Sequence, residues 1–167
     1  MEKLSIREVT RENWRTTLRL AVHPEQQRFI ADHVPIAAIA LAKAYIRPGG
    51  LLWIPYTFYV NTEMIGFTEL AYEPDSKENY WIFHFFIDYH YQGQGFGKKG
   101  LELFLQYIKD HYPQCQSLQL TVHPENHRAQ HLYLGAGFRP TGTTLDGEPV
   151  YRLAFSDFQD DSQLIRQ

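Results

Sequence analysis

Apolar and alternating segments bounded by turn residues predict four strands in the first half of the chain. Residues 4–9 alternate between apolar and polar side chains. Residues 51–60 and 64–73 form a predicted hairpin around a polar turn, and residues 80–88 form the next strand after a polar loop. The order of these segments predicts an antiparallel meander.

Helical spacing of apolar residues predicts helices between the first two strands. We expect a helix over residues 13–22 and one or two helical segments over residues 24–46. Pro35 disfavours one straight helix there, because proline lacks the N–H that a helix interior needs. The sequence RPGG at 47–50 is a helix breaker before the hairpin.

The second half of the chain predicts a helix over residues 98–112, a strand over 117–122 and a helix over 125–136. The apolar stripe of the first of these helices consists of Leu101, Phe104, Leu105 and Ile108. Gly137 is expected to end the second helix. Residues 138–155 then predict a final hairpin.

This order of elements predicts a mixed α/β fold with a largely antiparallel sheet flanked by helices. The 167 residues, of which 44% are hydrophobic and 15% aromatic, suffice for one sizeable core. We therefore expect one domain over residues 1–167, with a loose or partly helical end from residue 156.

The charge and the cysteine content of the chain argue against several classes of protein. A net charge of -3 argues against a nucleic-acid-binding protein, although a small cationic partner is compatible with it. The one cysteine, Cys115, allows no internal disulfide. No apolar run approaches the roughly 20 residues of a membrane span. We expect a cytoplasmic protein that does not bind membranes.

The stretch FFIDYHYQGQGFGKKGLELF, residues 85–104, places three glycines at alternate positions between a strand and a helix. A helix that begins after such a turn offers unbonded backbone N–H groups and the positive end of its dipole. Gly93, Gly95 and Gly97 remove side chains that would hold an anion away, and Lys98 and Lys99 add positive charge. The stretch therefore predicts a phosphate-binding turn.

Two nucleotide-binding interpretations of this turn have little support. Residues 95–100 spell G-x-G-x-x-G, which is a weak signal alone. The dinucleotide fold needs further βα units after the turn, and only one follows here. A P-loop has as little support, because the run lacks its four-residue gap and the serine or threonine after its lysine.

A different fingerprint, Q/R-x-x-G-x-G/A, matches Gln92, Gly95 and Gly97. The later stretch NHRAQHLYLGAGF matches a second motif, whose members are Asn126, Ala129, Tyr133, Gly137 and Phe138. With both motifs in this order, the chain resembles the GNAT superfamily of N-acetyltransferases. The resemblance extends from about residue 4 to residue 155.

The resemblance implies acetyl-CoA as co-substrate. Its pyrophosphate would lie on the backbone amides of the turn, which are those of Gln92, Gly93, Gln94, Gly95, Phe96, Gly97 and Lys98. Asn126 would bind the pantetheine arm, Tyr133 would protonate the departing sulfur, and a backbone N–H near Ile87 would stabilise the oxyanion. The plainer alternatives are a helix N-cap for Asn126 and a packing role for Tyr133.

No metal is expected. His123, His127 and His131 recur every four residues, but Arg128 stands where the glutamate of H-E-x-x-H would be. A solvated polar face is the better interpretation of these histidines.

The general base is assigned only to a pair of candidates. Polyamine acetyltransferases of this superfamily often carry a glutamate at the position that aligns with Phe83. His84 is adjacent and Glu69 lies on the neighbouring strand, and either could act through water. His84 is favoured because the ordinary pKa of histidine, about 6.5, suits proton uptake near neutrality.

The acceptor is predicted to be a polyamine such as spermidine or spermine, because the chain resembles bacterial spermine/spermidine acetyltransferases of the BltD type. Acidic residues in segments expected near the acceptor cleft could attract a polycation; they are Glu25, Asp32, Glu69, Glu73, Asp75 and Glu78. Aminoglycosides, amino acids and protein N-termini remain alternative acceptors. A homodimer is one expected assembly. The alternative to an enzyme is a protein that binds acyl-CoA as a sensor without catalysis.

Overall fold

The computed structural model describes residues 2–158 and contains a seven-stranded sheet in the order β1-β2-β3-β4-β5-β7-β6. The strands are β1 (Leu4–Glu8), β2 (Leu52–Val60), β3 (Glu63–Tyr72), β4 (Tyr80–Ile87), β5 (Ser117–Thr121), β6 (Arg139–Leu145) and β7 (Glu148–Ala154). Strands β1 to β4 form the predicted antiparallel meander. The final hairpin is confirmed, and its second strand, β7, pairs with β5.

Five α-helices flank this sheet in the described part of the chain. They are α1 (Trp14–Thr17), α2 (Gln27–Ile30), α3 (Ile36–Ile46), α4 (Phe96–His111) and α5 (His127–Gly135). The break between α2 and α3 falls before Pro35, which is the N-cap of α3, as the sequence predicts. Gly137, at φ +105°, follows the end of α5.

The sheet separates two hydrophobic clusters. The predicted apolar stripe of α4 packs with Tyr133 of α5 on one face, against rings such as that of Phe58. Ile36, Ala37 and Ala40 of α3 pack on the other face. The mixed α/β fold predicted from the sequence is therefore confirmed.

The helix predicted over residues 13–22 is wrong, because α1 ends at Thr17. The backbone of Ala21 makes bonds to the end of β4 instead of continuing the helix. Its N–H donates to Asp88 Oδ2 at 3.0 Å, and its carbonyl oxygen accepts from the Tyr89 N–H at 2.8 Å. Leu20 and Val22 are buried beside these bonds. Tertiary contacts thus override a helical pattern at this segment.

Beyond β7, a short 3-10 helix covers Phe155–Phe158. The rest of the end that the sequence predicts to be loose lies outside the described residues. None of the helices in residues 2–158 is long and apolar enough to cross a membrane.

Candidate active site

A pocket opens where β4 and β5 separate. These neighbours are parallel and pair at a single register position, Trp81 with Gln119. Beyond it the strands diverge, and Phe85 and Ile87 of β4 face Leu120 of β5 across a pocket of about 780 Å³. The pocket is therefore bordered by strands β4 and β5 and by helices α2, α4 and α5.

The first turn of α4 borders this pocket. Gly95 is its N-cap at φ +84°, and Gly93 has φ +77°. The Lys99 N–H donates to the Gly95 carbonyl, so the N–H groups of the three preceding helical residues have no acceptor within the helix. A Cβ added at Gly93, Gly95 or Gly97 would meet no atom of the described residues within 4 Å. Open space above unpaired N–H groups fits an anion such as a diphosphate.

Gln92 closes the turn between β4 and α4. Its Nε2 donates to the Ile87 carbonyl oxygen at 2.9 Å and to Gln26 Oε1 at 2.9 Å. Gln26 Nε2 donates back to Gln92 Oε1 at 3.1 Å, and Arg128 Nη1 lies 3.4 Å from the same oxygen. Nothing in the sequence pattern predicts that Gln26 hydrogen-bonds Gln92.

The remaining residues of the predicted phosphate turn differ in position. Lys98 lines the pocket, whereas Gln94 is exposed and does not line it. The Phe96 side chain is buried in the core, so only its backbone can contribute to a ligand.

Ile87 offers a backbone donor to the gap. The Asp88 N–H donates to the Ile65 carbonyl at 2.8 Å, and Ile87 is paired with Gly66. Antiparallel pairs alternate between bonded and non-bonded types, so the Gly66–Ile87 pair is non-bonded. The N–H of Ile87 therefore points away from β3 and toward β5.

Asn126 and Tyr133 both line the pocket from α5. Asn126 is the N-cap of that helix and accepts the Ala129 N–H at 3.2 Å, which leaves its Nδ2 donors for a ligand. Tyr133 packs at edge-to-face angles against Phe85 and Phe138. No other described residue hydrogen-bonds its hydroxyl. Burial raises the pKa of Tyr133, so its hydroxyl stays protonated at neutral pH.

His84 lines the pocket, but both ring nitrogens are occupied. Nδ1 lies 3.0 Å from the Ile30 carbonyl oxygen and Nε2 lies 3.0 Å from Lys43 Nζ. A carbonyl oxygen only accepts, so Nδ1 carries the proton and Nε2 accepts from Lys43. Burial and the nearby Lys43 lower the pKa of His84 to about 4. The ordinary histidine pKa of about 6.5, on which the sequence favours His84 as the base, does not apply to this buried residue.

Glu69 does not line the pocket. Its side chain is 0% exposed, and neither carboxyl oxygen has a hydrogen-bond partner among residues 2–158. Glu69 pairs with Phe83 across β3 and β4, on the face that α3 covers. Burial raises the pKa of this carboxyl to about 9, although Lys43 opposes that shift.

Acidic side chains reach the pocket from different segments than the sequence suggests. Of the six predicted acidic residues, only Asp32 lines it. Glu73, Asp75 and Glu78 precede β4, and the pocket lies at the far end of that strand. Glu148, the first residue of β7, and Glu125 are additional lining residues. Glu125 is paired with Arg28 at 2.7 Å, so Asp32 and Glu148 are the acids without such a partner in the described pocket.

His123, His127 and His131 also line the pocket. Within the described residues, no group of three or more histidine, cysteine or acidic side chains is arranged to hold a metal ion.

Comparison with known proteins agrees with this geometry. Residues 25–138 match the model of the acetyltransferase (GNAT) family. The chain is 31% identical over 153 residues to the spermine/spermidine N(1)-acetyltransferase of Bacillus subtilis (strain 168), covering 88% of this chain and 95% of that protein.

Solved structures share the fold at lower identity. An aminoglycoside acetyltransferase in complex with coenzyme A superposes with a TM-score of 0.76 at 18% identity, covering 96% of this chain and 99% of that one. The spermidine N-acetyltransferase of Vibrio cholerae, in complex with CoA and spermine, gives a TM-score of 0.70 at 20% identity and covers 93% and 97%. With the family model spanning most of the chain, this protein belongs to the GNAT family of acetyltransferases.

Proposed function

We propose that this acetyltransferase transfers the acetyl group of acetyl-CoA to a primary amine of a polyamine such as spermidine or spermine. One observation carries the proposal. The pocket between β4 and β5 brings together the unpaired N–H groups at the start of α4 and the hydroxyl of Tyr133.

The chain's own donors suit the two ends of acetyl-CoA. The N–H groups of Phe96, Gly97 and Lys98 would hold the diphosphate, because no atom of residues 2–158 occupies the space beside Gly95 and Gly97. Lys98 adds a positive charge at this end of the pocket. Nδ2 of Asn126 would donate to an amide oxygen of the pantetheine arm.

The reaction joins the amine nitrogen to the thioester carbon and breaks the carbon–sulfur bond. The Ile87 N–H faces the gap and would stabilise the carbonyl oxygen as it gains negative charge. Tyr133 would give its phenolic proton to the departing sulfur and regain a proton from the nitrogen, which loses its second proton as the amide forms. Burial raises the pKa of this phenol, so the proton is in place before the sulfur departs.

The attacking nitrogen must first lose a proton. A primary amine with a pKa of about 10.4 is almost fully protonated at neutral pH. His84 offers no free lone pair, and Glu69 is fully buried and does not line the pocket. We propose that the proton passes to water in the pocket and that neither residue receives it directly.

Two observations support a polyamine as the acceptor. The relative from Bacillus subtilis is named for spermine and spermidine and is similar over most of both chains. Asp32 and Glu148 line the pocket and would attract additional ammonium groups of a polycation. An amino acid would bring a carboxylate to the same acids, which disfavours its binding.

Release of free CoA thiol from acetyl-CoA tests the proposal across an amine panel. The panel contains spermine, spermidine, putrescine, an aminoglycoside and several amino acids, at two salt concentrations, and mass spectrometry identifies the acetylated product. We expect the highest kcat/KM with spermidine or spermine, and a KM that rises with salt as charge attraction is screened. A better aminoglycoside, amino-acid or peptide N-terminal substrate would replace the polyamine assignment. Acetyl-CoA binding without turnover of any acceptor would indicate a sensor.

A further inference from the structure

His84 is held in an uncommon backbone conformation. The pairing of β3 with β4 shifts register so that Thr68 opposes both His84 and Phe85, which is the pattern of a β-bulge. His84 has φ +54°, a region that side chains other than glycine rarely adopt. Such a conformation persists where surrounding contacts enforce it, and it often marks a functional constraint.

The contacts that enforce it come from two different helices. Ile30, the last residue of α2, presents its carbonyl oxygen to Nδ1, and Lys43 of α3 presents its amine to Nε2. Lys43 is fixed in turn, because its Nζ lies 5.0 Å from the Trp53 ring centroid and 5.2 Å from that of Phe83. The bulge therefore aims the imidazole at the junction of α2, α3 and β4.

The segment held by this junction crosses the mouth of the pocket. Residues 24–30 have no buried side chains of their own. Arg28 reaches Glu125 at 2.7 Å, and the Phe29 ring lies 5.0 Å from that of His123. Both partners belong to the connection after β5. Asp32, which lines the pocket, lies two residues beyond Ile30.

We propose that His84 and Lys43 are positioning residues, which fix the Ile30 carbonyl and thereby the pocket wall that carries Asp32. Neither residue contacts the reacting atoms in this role. The kinetic part of the test rests on the proposed amine acceptor, whereas the structural part does not.

The Lys43→Met variant separates this role from simple electrostatics. Methionine keeps the apolar stem beside Trp53 and Phe83 but gives His84 no hydrogen-bond donor. If Lys43 acted only through its charge, its removal would lower KM for a polyamine, because one repelling cation is lost. Positioning has the opposite sign: we expect KM for spermidine to rise at least about fivefold while the acetyl-CoA Kd changes less than about twofold.

Three further variants complete the experiment. Lys43→Arg keeps a donor and a cation that can stack on the same rings, and should restore KM to near the wild-type value. Lys77→Met removes an exposed lysine on the connection between β3 and β4 and should change nothing. Asparagine tolerates positive φ, so His84→Asn should keep the backbone conformation and raise KM for spermidine as Lys43→Met does. The double variant should raise KM little further, because both substitutions break the same contact.

Hydrogen exchange measured on the wild type and the same variants gives a readout that needs no acceptor. Exchange of the amides in residues 25–32 should accelerate in Lys43→Met and His84→Asn and match the wild type in Lys43→Arg and Lys77→Met. Unchanged exchange in this segment, or a lower spermidine KM in Lys43→Met, would overturn the positioning role. If the wild type acetylates no amine, the proposed function fails, and the exchange data alone decide this inference.

Discussion

The Gln92 side chain donates from Nε2 to the Ile87 carbonyl oxygen at 2.9 Å, which joins the first residue of the glycine motif to the last residue of β4. This bond closes the turn on itself. The side chain of Gln92 therefore stabilises the backbone of the turn between β4 and α4. The N–H groups at the start of α4 and the N–H of Ile87 consequently border the same pocket.

Gly97 offers the cleanest test of the phosphate-binding turn. Gly95 has positive φ, so a valine there would strain the backbone itself, whereas Gly97 is helical and has open space around it. Gly97→Val should remain folded and weaken acetyl-CoA binding at least about tenfold, because its side chain fills the space that a diphosphate needs. Calorimetric titration measures the change. Gly135→Val, at another open helical glycine outside the pocket, is the matched control, and equal affinity of the two variants would contradict the assignment.

Tyr133→Phe tests the general acid. The substitution removes the hydroxyl and keeps the packing against Phe85 and Phe138. Because a positioned acid contributes about 10²- to 10⁴-fold, kcat should fall at least tenfold while the acetyl-CoA Kd stays within a few-fold. Tyr151→Phe removes a hydroxyl from another buried tyrosine and should leave kcat unchanged. Near-normal turnover by Tyr133→Phe would make that residue part of the packing only.

Asp32 and Glu148 should determine how strongly the pocket attracts a polycation. Asp32→Asn and Glu148→Gln are each expected to raise KM for spermine by about three- to tenfold and to reduce its dependence on salt. The effect should be smaller for a monoamine, because a monoamine has no second charge to place. Initial rates at two salt concentrations measure both quantities. Asp75→Asn, at the opposite end of β4, is the control, and an equal effect from it would refute a local role.

Glu69 should make stability depend on pH in an uncommon direction. Its folded-state pKa is about 9 and its ordinary value is 4.5, so between these values the folded protein binds more protons than the unfolded chain. Its contribution to stability therefore falls as pH rises through that window. The slope is at most about 1.4 kcal/mol per pH unit.

Glu69→Gln removes this titration with little change in shape. The variant should gain stability relative to wild type as pH rises from 5 to 9, as measured by urea unfolding at several pH values. The lowered pKa of His84 acts at lower pH and is common to both proteins, so it cancels in the difference. A difference that stays constant with pH would show that Glu69 is ionised when folded.

Much of this structure is present in local patterns of the sequence. Alternating segments and turn residues suffice to predict β2, β3 and β4, and the spacing of Leu101, Phe104 and Leu105 predicts α4. The glycine turn and the positions of Asn126 and Tyr133 were likewise accessible, because each lies within a short motif.

The rest depends on contacts between distant parts of the chain. Lys43 reaches His84 across 41 positions, and Gln26 reaches Gln92 across 66. The periodicity of hydrophobic residues predicts local structure and gives no information on such long-range contacts. The pKa of His84 therefore could not be anticipated, since its value depends on burial and on a lysine from another helix. The shortened α1 has the same origin, because Asp88 binds the backbone of Ala21.

The absence of buried side chains in residues 24–30 bears on how this enzyme can diversify. No side chain of this segment is fully buried, so its exposed positions can accept substitutions and changes of charge with little loss of folding free energy. The glycine turn, in contrast, is joined to the end of a central strand through Gln92 and Ile87. Selection for a new amine can therefore act on one rim of the pocket while the opposite rim continues to bind the same acyl donor.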